Sequence, residues 1–374
     1  MMKNKTIGLD ARLWNHPGIG RYVRELSAEM ARCLKDEKLV LLGDPQLIHD
    51  FFSSRQSASS VPACIETHSK IYSLQEQWQM PGKASSLDLL HVPHFNIPVL
   101  LKTKLIVTIH DLIYLREPGA SKSFFGKAYV AWLLKMIQKK AAAVIAVSQH
   151  TKNDLLDQFP RFSKDRVFVT YEASSPLFHQ ISNPLELQGV RSRHSLSKPF
   201  ILFVGTLKAH KNVLTLIRAV KILRETKGVD HDLVLVGRKD ERNRPLLDMI
   251  KQSAFVRYLG ELSDPELAVL YNCAEVFVLP STHEGFGLPA IEAMACGTPV
   301  IVSNSSSLPE IVGSAGLIFD PLKVDALCEL LYNVLNSEEL RKNMISLGLA
   351  RAREFSWRTT AEQTMEVYRK VLEG

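Results

Sequence analysis

Short continuous apolar runs alternate with segments whose apolar residues recur every three or four positions, and this rhythm continues along nearly the whole chain. In the first half, runs at 6–9, 38–42, 87–91, 104–109, 142–147 and 166–169 predict strands. The segment after Gly20 carries Tyr22, Leu26, Met30 and Cys33 at helical spacing. The second half repeats the rhythm, with strands expected at 200–204, 232–236, 256–259, 276–279 and 299–302. Helices are expected between them at 214–225, 245–252, 265–272 and 289–295. Uniformly apolar strands alternating with amphipathic helices predict parallel sheets covered on both faces. The polar stretch 182–198, with Asn183-Pro184 and Gly189, predicts a join between two α/β domains, 1–183 and 199–355. In 356–374, Trp357, Ala361, Met365, Tyr368 and Leu372 share one face of an expected C-terminal helix.

A length of 374 residues suits two domains, each with its own core. With 46% hydrophobic and 23% charged residues, the composition is that of a soluble globular enzyme. Charge adds an asymmetry. Lys and Arg outnumber Asp and Glu by six in residues 1–190 and by one in 191–374. A basic first half suits an anionic membrane surface, a lipid diphosphate or nucleic acid, and also occurs on domains with no such partner. Five scattered cysteines without a C-x-x-C pair predict reduced thiols, not a disulfide frame or a zinc site. Met1-Met-Lys-Asn-Lys5 leads straight into the first strand, and no uncharged run reaches the roughly 18 residues needed to span a bilayer. A cytoplasmic protein that meets membrane only from its surface is therefore expected. The segment Phe124–Lys140 places Phe125, Tyr129, Trp132 and Met136 on one face and Lys127, Lys135, Lys139 and Lys140 elsewhere. That pattern fits a core stripe or a basic helix lying on anionic lipid.

The richest chemistry lies in Glu284-Gly-Phe-Gly-Leu-Pro-Ala-Ile-Glu292, between an expected strand and an expected helix. Pro289 suits a first helical turn, and N–H groups around Phe286, Gly287 and Leu288 can then face an anion. Glu284 in the loop and Glu292 in the first turn can face one cleft; the plainer alternative is a surface loop with a solvated glutamate. Lys211 follows the strand at 200–204, where it can neutralise a diphosphate, with His210 or Arg238 as a second donor. His110 ends the strand at 104–109, and Asp111 is expected to cap the next turn. Gly18-Ile-Gly20 opens a helix but lacks the third glycine of a dinucleotide fingerprint. Asp230-His-Asp232 has a metal-binding spacing but precedes a strand, so a turn is expected. His91 and His94 are separated by Pro93 and lack a third ligand. No metal is expected.

Several motifs, in their order, resemble the retaining glycosyltransferases of family 4. They are Gly18-Ile-Gly20-Arg-Tyr, Val107-Thr-Ile-His-Asp111, Val147-Ser-Gln-His-Thr-Lys-Asn-Asp154, Phe203-Val-Gly-Thr-Leu207, Lys211-Asn212, Glu284 to Glu292, Ala293-Met-Ala-Cys-Gly-Thr-Pro-Val300 and Phe355-Ser-Trp357. The resemblance covers nearly the whole chain, and the nearest subgroup is the mannosyltransferases that extend bacterial O-antigen and other surface polysaccharides. It implies a GT-B fold: two Rossmann-like domains, an active site in the cleft between them, and a last helix packed back on the first domain. The implied activity is transfer of a hexose, mannose from GDP-mannose, from a nucleotide-diphosphate sugar to a glycan or lipid-linked acceptor. No cofactor and no nucleic-acid partner are implied. His110 and Glu284 become the catalytic residues, and Lys211 offsets charge on the departing diphosphate. Gly18, Gly20, Thr206, Arg238 and Leu262 border the donor; Phe286, Gly287 and Leu288 hold sugar and phosphate; Glu292 grips the ribose. The family often has Gly-Arg where this chain has Gly205-Thr206, so one arginine is missing. A sugar-nucleotide 2-epimerase of the same fold and a non-catalytic nucleotide-sugar or glycan-binding relative remain as alternatives.

Overall fold

The computed structural model describes residues 4–34, 36–55, 61–116 and 124–374. The chain divides into two units, Met1–Glu172 with Ser356–Gly374, and Ala173–Phe355.

The first unit is built on a parallel sheet of β1 (Thr6–Asp10), β2 (Lys38–Gly43), β3 (Ala63–Glu66), β4 (Leu89–Val92), β5 (Lys104–Ile109), β6 (Ala141–Ala146) and β7 (Val167–Val169). The spatial order is β3-β2-β1-β4-β5-β6-β7. Central strands such as β5 and β6 are buried almost throughout, as a sheet covered on both faces requires. β3 was not expected: it is a four-residue, half-exposed strand at the edge, without a continuous apolar run. Helix Ile19–Cys33 buries Tyr22, Val23, Leu26 and Met30 and packs on the C-terminal helix Trp357–Glu373. Ser356 caps that second helix by accepting from the Thr359 N–H, and Trp357, Ala361, Met365 and Tyr368 are buried.

Helix Phe124–Lys140 forms over the expected residues but turns a different face inward. Val130, Leu133, Leu134 and Ile137 fill the core, whereas Tyr129 and Trp132 remain 38% and 42% exposed. The side chains of Phe125 and Lys127 lie outside those described. No described helix is long and apolar enough to cross a membrane.

The second unit carries β8 (Phe200–Val204), β9 (Asp232–Val236), β10 (Val256–Gly260), β11 (Val276–Leu279), β12 (Val300–Ser303) and β13 (Leu317–Phe319). They form a parallel sheet in the order β10-β9-β8-β11-β12-β13. β13 escaped the sequence reading because it is a three-residue edge strand with Ile318 40% exposed. The stretch 182–198, expected as a join, folds instead within this unit. Asn183 caps a helix at Pro184–Arg193, Pro184 begins it, and Val190 is buried as the helix packs on Asp264–Cys273. Polar composition there reflects one mostly exposed helix, and the chain leaves the first unit earlier, at Glu172.

Both sheets run outward from β1 and from β8 in the doubly wound pattern. Strand order reverses between β1 and β4 and again between β8 and β11, where open parallel sheets bind ligands at their carboxyl edges.

Candidate active site

At the carboxyl edge of the second sheet, loops following β8, β11 and β12 are stitched together. Asn212 adopts a left-handed conformation with φ 53°. Its Nδ2 donates to the Pro280 and Pro321 carbonyls at 3.2 and 3.0 Å. The Thr282 N–H donates to the His210 carbonyl at 2.8 Å. These bonds set Lys211 Nζ 2.6 Å from Glu284 Oε1, which also accepts from Ser281 Oγ at 2.7 Å. From β12, Ser306 Oγ accepts the Glu284 N–H at 2.8 Å, and Ser307 Oγ donates to the Glu284 and Phe286 carbonyls at 3.0 Å each. Burial works to raise the Glu284 carboxyl, but the Lys211 ammonium and the two side-chain hydrogen bonds outweigh it. Glu284 is thus held ionised below the usual glutamate range.

Lys211 is the cation fixed in this cluster. His210 is not a second one, because burial foremost, with Lys211 beside it, pushes its imidazole down to about 4. Arg238 is exposed at the end of β9; Thr206 and Leu262 are half-buried beyond β8 and β10. Gly237 is required by close approach, since a Cβ there would stand 2.2 Å from the Gly205 carbonyl oxygen. Asp230, in the D-x-D spacing, is bound by Lys198 and Arg224, and Asp232 begins β9 beside Arg257, at the opposite sheet edge.

Helix Leu288–Ala295 starts from Gly287 at φ 101°, and no side chain caps its N terminus. A Cβ on Gly287 would meet Leu308 at 2.7 Å. Glu292 falls in the second turn, not the first, because the helix begins at Leu288. It is 1% exposed and accepts the Tyr271 hydroxyl at 3.1 Å.

In the first unit, His110 follows β5. Its Nδ1 lies 2.9 Å from Glu172 Oε1 and its Nε2 lies 3.2 Å from the Pro93 carbonyl oxygen. Tyr22 stands edge-on to the ring at 5.0 Å, and Asp111 accepts the Ile113 N–H at 3.0 Å. Glu172 is buried, and the residue before it is held by Thr360, whose hydroxyl donates to the Tyr171 carbonyl at 2.6 Å. His91 is a structural residue: its two nitrogens meet the Tyr368 and Thr108 hydroxyls at 2.6 and 2.7 Å. Gly20 is required for packing, since a Cβ would stand 2.2 Å from the Trp14 carbonyl oxygen, whereas a Cβ on Gly18 would meet open space.

Residues 17–173 match the family described as Glycosyltransferase Family 4, and 189–350 match Glycosyl transferases group 1. The MMP alpha-(1->4)-mannosyltransferase of Mycolicibacterium hassiacum is 34% identical over 323 residues, covering 81% of this chain and 75% of that one. This chain belongs to the glycosyltransferase family. The glycosyltransferase is also 29% identical over 373 residues to O-antigen chain mannosyltransferase B of Escherichia coli, covering 94% of this chain and 96% of that one. Its fold is similar to that of Anabaena HepE, solved in complex with UDP and glucose (TM-score 0.78, 18% identity, 98% of this chain and 100% of that one). Two Rossmann-like parallel-sheet units and this similarity make the fold GT-B.

Several residues that hold the candidate groups within each unit were not singled out from sequence. Ser306 and Ser307 belong to a serine run just after β12, and their place at a carboxyl strand end was a usable signal. Glu172 gave none, because it reaches His110 across 62 positions.

Proposed function

We propose that this glycosyltransferase moves mannose from GDP-mannose to a glycan or lipid-linked acceptor, with retention at the anomeric carbon and without a divalent metal. The ion pair of Lys211 with Glu284, fixed by three loops at the carboxyl edge of the second sheet, carries the proposal. A diphosphate arriving there shares the Lys211 ammonium, which offsets the charge that grows on the phosphate as the glycosidic bond breaks. The helix start at Gly287 and Leu288 adds N–H groups for sugar and phosphate. Glu284, kept ionised, faces the positive charge that develops on the sugar. Glu292 holds the ribose, and His110 is the group offered by the first unit. The acceptor oxygen bonds to the anomeric carbon on the face that the phosphate leaves, and the acceptor proton passes to the departing phosphate oxygen. The relatives described as mannosyltransferases support mannose. The basic first half supports work at the cytoplasmic face of an anionic membrane when the acceptor is lipid-linked.

The test is to incubate purified protein with GDP-mannose, UDP-glucose or UDP-N-acetylglucosamine, with and without mannotriose, in EDTA. Acceptor-dependent consumption of GDP-mannose and an α-linked product, seen by NMR, are expected. A β-linked product overturns retention, and activity that only Mg²⁺ or Mn²⁺ restores overturns metal independence. Acceptor-free conversion of UDP-N-acetylglucosamine points instead to an epimerase.

A further inference from the structure

The carboxyl edge of the first sheet carries a row of rings that the catalytic reading does not use. Tyr72 lies 5.9 Å from His94, 6.3 Å from Phe95 and 6.3 Å from Tyr129. Tyr129 stacks on Trp132 at 5.7 Å, and Phe95 meets Tyr114 edge-on at 5.7 Å. Four of these rings stay open to solvent: Tyr72 50%, Tyr114 36%, Tyr129 38% and Trp132 42%. The row is held from below. Tyr72 has φ 67°, a conformation costly for an aromatic residue. Its N–H donates to Glu76 Oε2 at 3.1 Å. Glu76 is fully buried and is bound in turn by Arg12 at 2.7 Å and Asn96 at 2.6 Å. Strain maintained by a buried ion-pair network, at an exposed ring, marks a pre-organised contact surface.

We propose that Tyr72, Tyr129 and Trp132 form a binding surface for the pyranose rings of a neutral, mannose-ended acceptor glycan. The choice of mannose rests on the transferase reading above. Rigid aromatic faces offer apolar area to sugar C–H groups, while phenol and imidazole tips can hydrogen-bond their hydroxyls. The row reaches the candidate catalytic residue: His94, whose ring lies 5.9 Å from Tyr72, follows Pro93, whose carbonyl oxygen lies 3.2 Å from His110 Nε2. Asp111, beside His110 at that end of the row, opposes insertion into anionic lipid. Of the lysines whose side chains are described on that helix, Lys139 and Lys140 sit at its far end, where β6 begins at the amino edge, and only Lys135 stands within a turn of Trp132. A neutral polyhydroxy ligand meets neither objection.

Mannotriose binding by isothermal titration and transfer kinetics, on the wild type and on Tyr129→Ala, Trp132→Ala and Trp132→Phe, decide the proposal. The alanine variants should weaken mannotriose binding and raise the acceptor KM on the order of tenfold, with the donor KM unchanged. Trp132→Phe should keep most of the binding. A wild type that does not bind mannotriose, or alanine variants that bind it normally, overturns the proposal. Loss of sedimentation with phosphatidylglycerol vesicles alongside normal mannotriose binding overturns it in favour of a lipid surface. A wild type that binds mannotriose through these rings yet consumes no nucleotide sugar leaves the surface standing and removes the transferase reading.

Discussion

The Glu172 carboxylate lies 2.9 Å from one nitrogen of His110 while the Pro93 carbonyl oxygen lies 3.2 Å from the other. The two contacts hold the imidazole from both sides and so fix its orientation. Glu172→Gln removes the charged acceptor with little change of shape. A charged hydrogen bond is worth about 1.5–3 kcal/mol, so kcat should fall roughly 10- to 150-fold with circular dichroism unchanged. The His110 ring ¹⁵N shifts should move in the variant as the hydrogen bond at Nδ1 changes. A wild-type kcat together with unchanged shifts would make the pair purely structural.

Lys211 and Glu284 are each other's partner before any donor arrives, so their single substitutions are not independent. Lys211→Ala leaves the Glu284 carboxylate nearly buried without its cation, and its pKa should then rise. Kinetics of Lys211→Ala, Glu284→Gln and the double variant should therefore give a coupling of about 1–3 kcal/mol in kcat/KM. Additive losses would mean that the two act on the donor separately.

How much was legible depended on length and burial. β5, β8 and β11 were read from sequence because fully buried parallel strands are continuous apolar runs. β3 and β13 were not, because short edge strands need no such run. Helix Phe124–Lys140 was legible as a helix, but which stripe faces the core was not. Two offset apolar stripes compete there, and packing on the sheet chose Val130, Leu133, Leu134 and Ile137. In the cluster, Glu284 and Lys211 could be named from their place at strand ends. Their pairing could not, since it depends on Asn212 and Ser306 bringing three loops together.

Acid should destabilise this protein well before its carboxylates titrate. Burial foremost pushes His91 and His94 down to about 3 and His210 down to about 4, whereas a histidine in the unfolded chain titrates near 6.5. Between those values the unfolded chain binds protons that the native state refuses. Stability from these groups is complete above the unfolded pKa and is lost as pH falls toward the folded one. Each group contributes a slope of about 1.4 kcal/mol per pH unit within its window. Urea unfolding from about pH 7 to about pH 5 should show the fall. His91→Gln should make it shallower even if that variant is less stable at neutrality. A flat profile would show that these histidines protonate while folded.

Glu284 and Glu292 should fail in different ways, and the burial of Glu292 dictates how to test it. Glu292→Ala would open a cavity beneath Tyr271 and confuse binding with folding. Glu292→Gln keeps the volume and can still accept from the Tyr271 hydroxyl, yet it loses the negative charge. If Glu292 holds the ribose equally in ground and transition states, Glu292→Gln should raise the donor KM about 10- to 150-fold and spare kcat. Tyr271→Phe removes only the hydroxyl that orients the carboxylate, so its donor KM should rise less, by about tenfold or below. Glu284→Gln should instead lower kcat on the order of 10²-fold if, as proposed, its charge faces the sugar as the glycosidic bond breaks. Steady-state kinetics on the three variants separate these roles. A Glu292→Gln variant that loses kcat with an unchanged donor KM would move that carboxylate from the ribose to the reacting sugar.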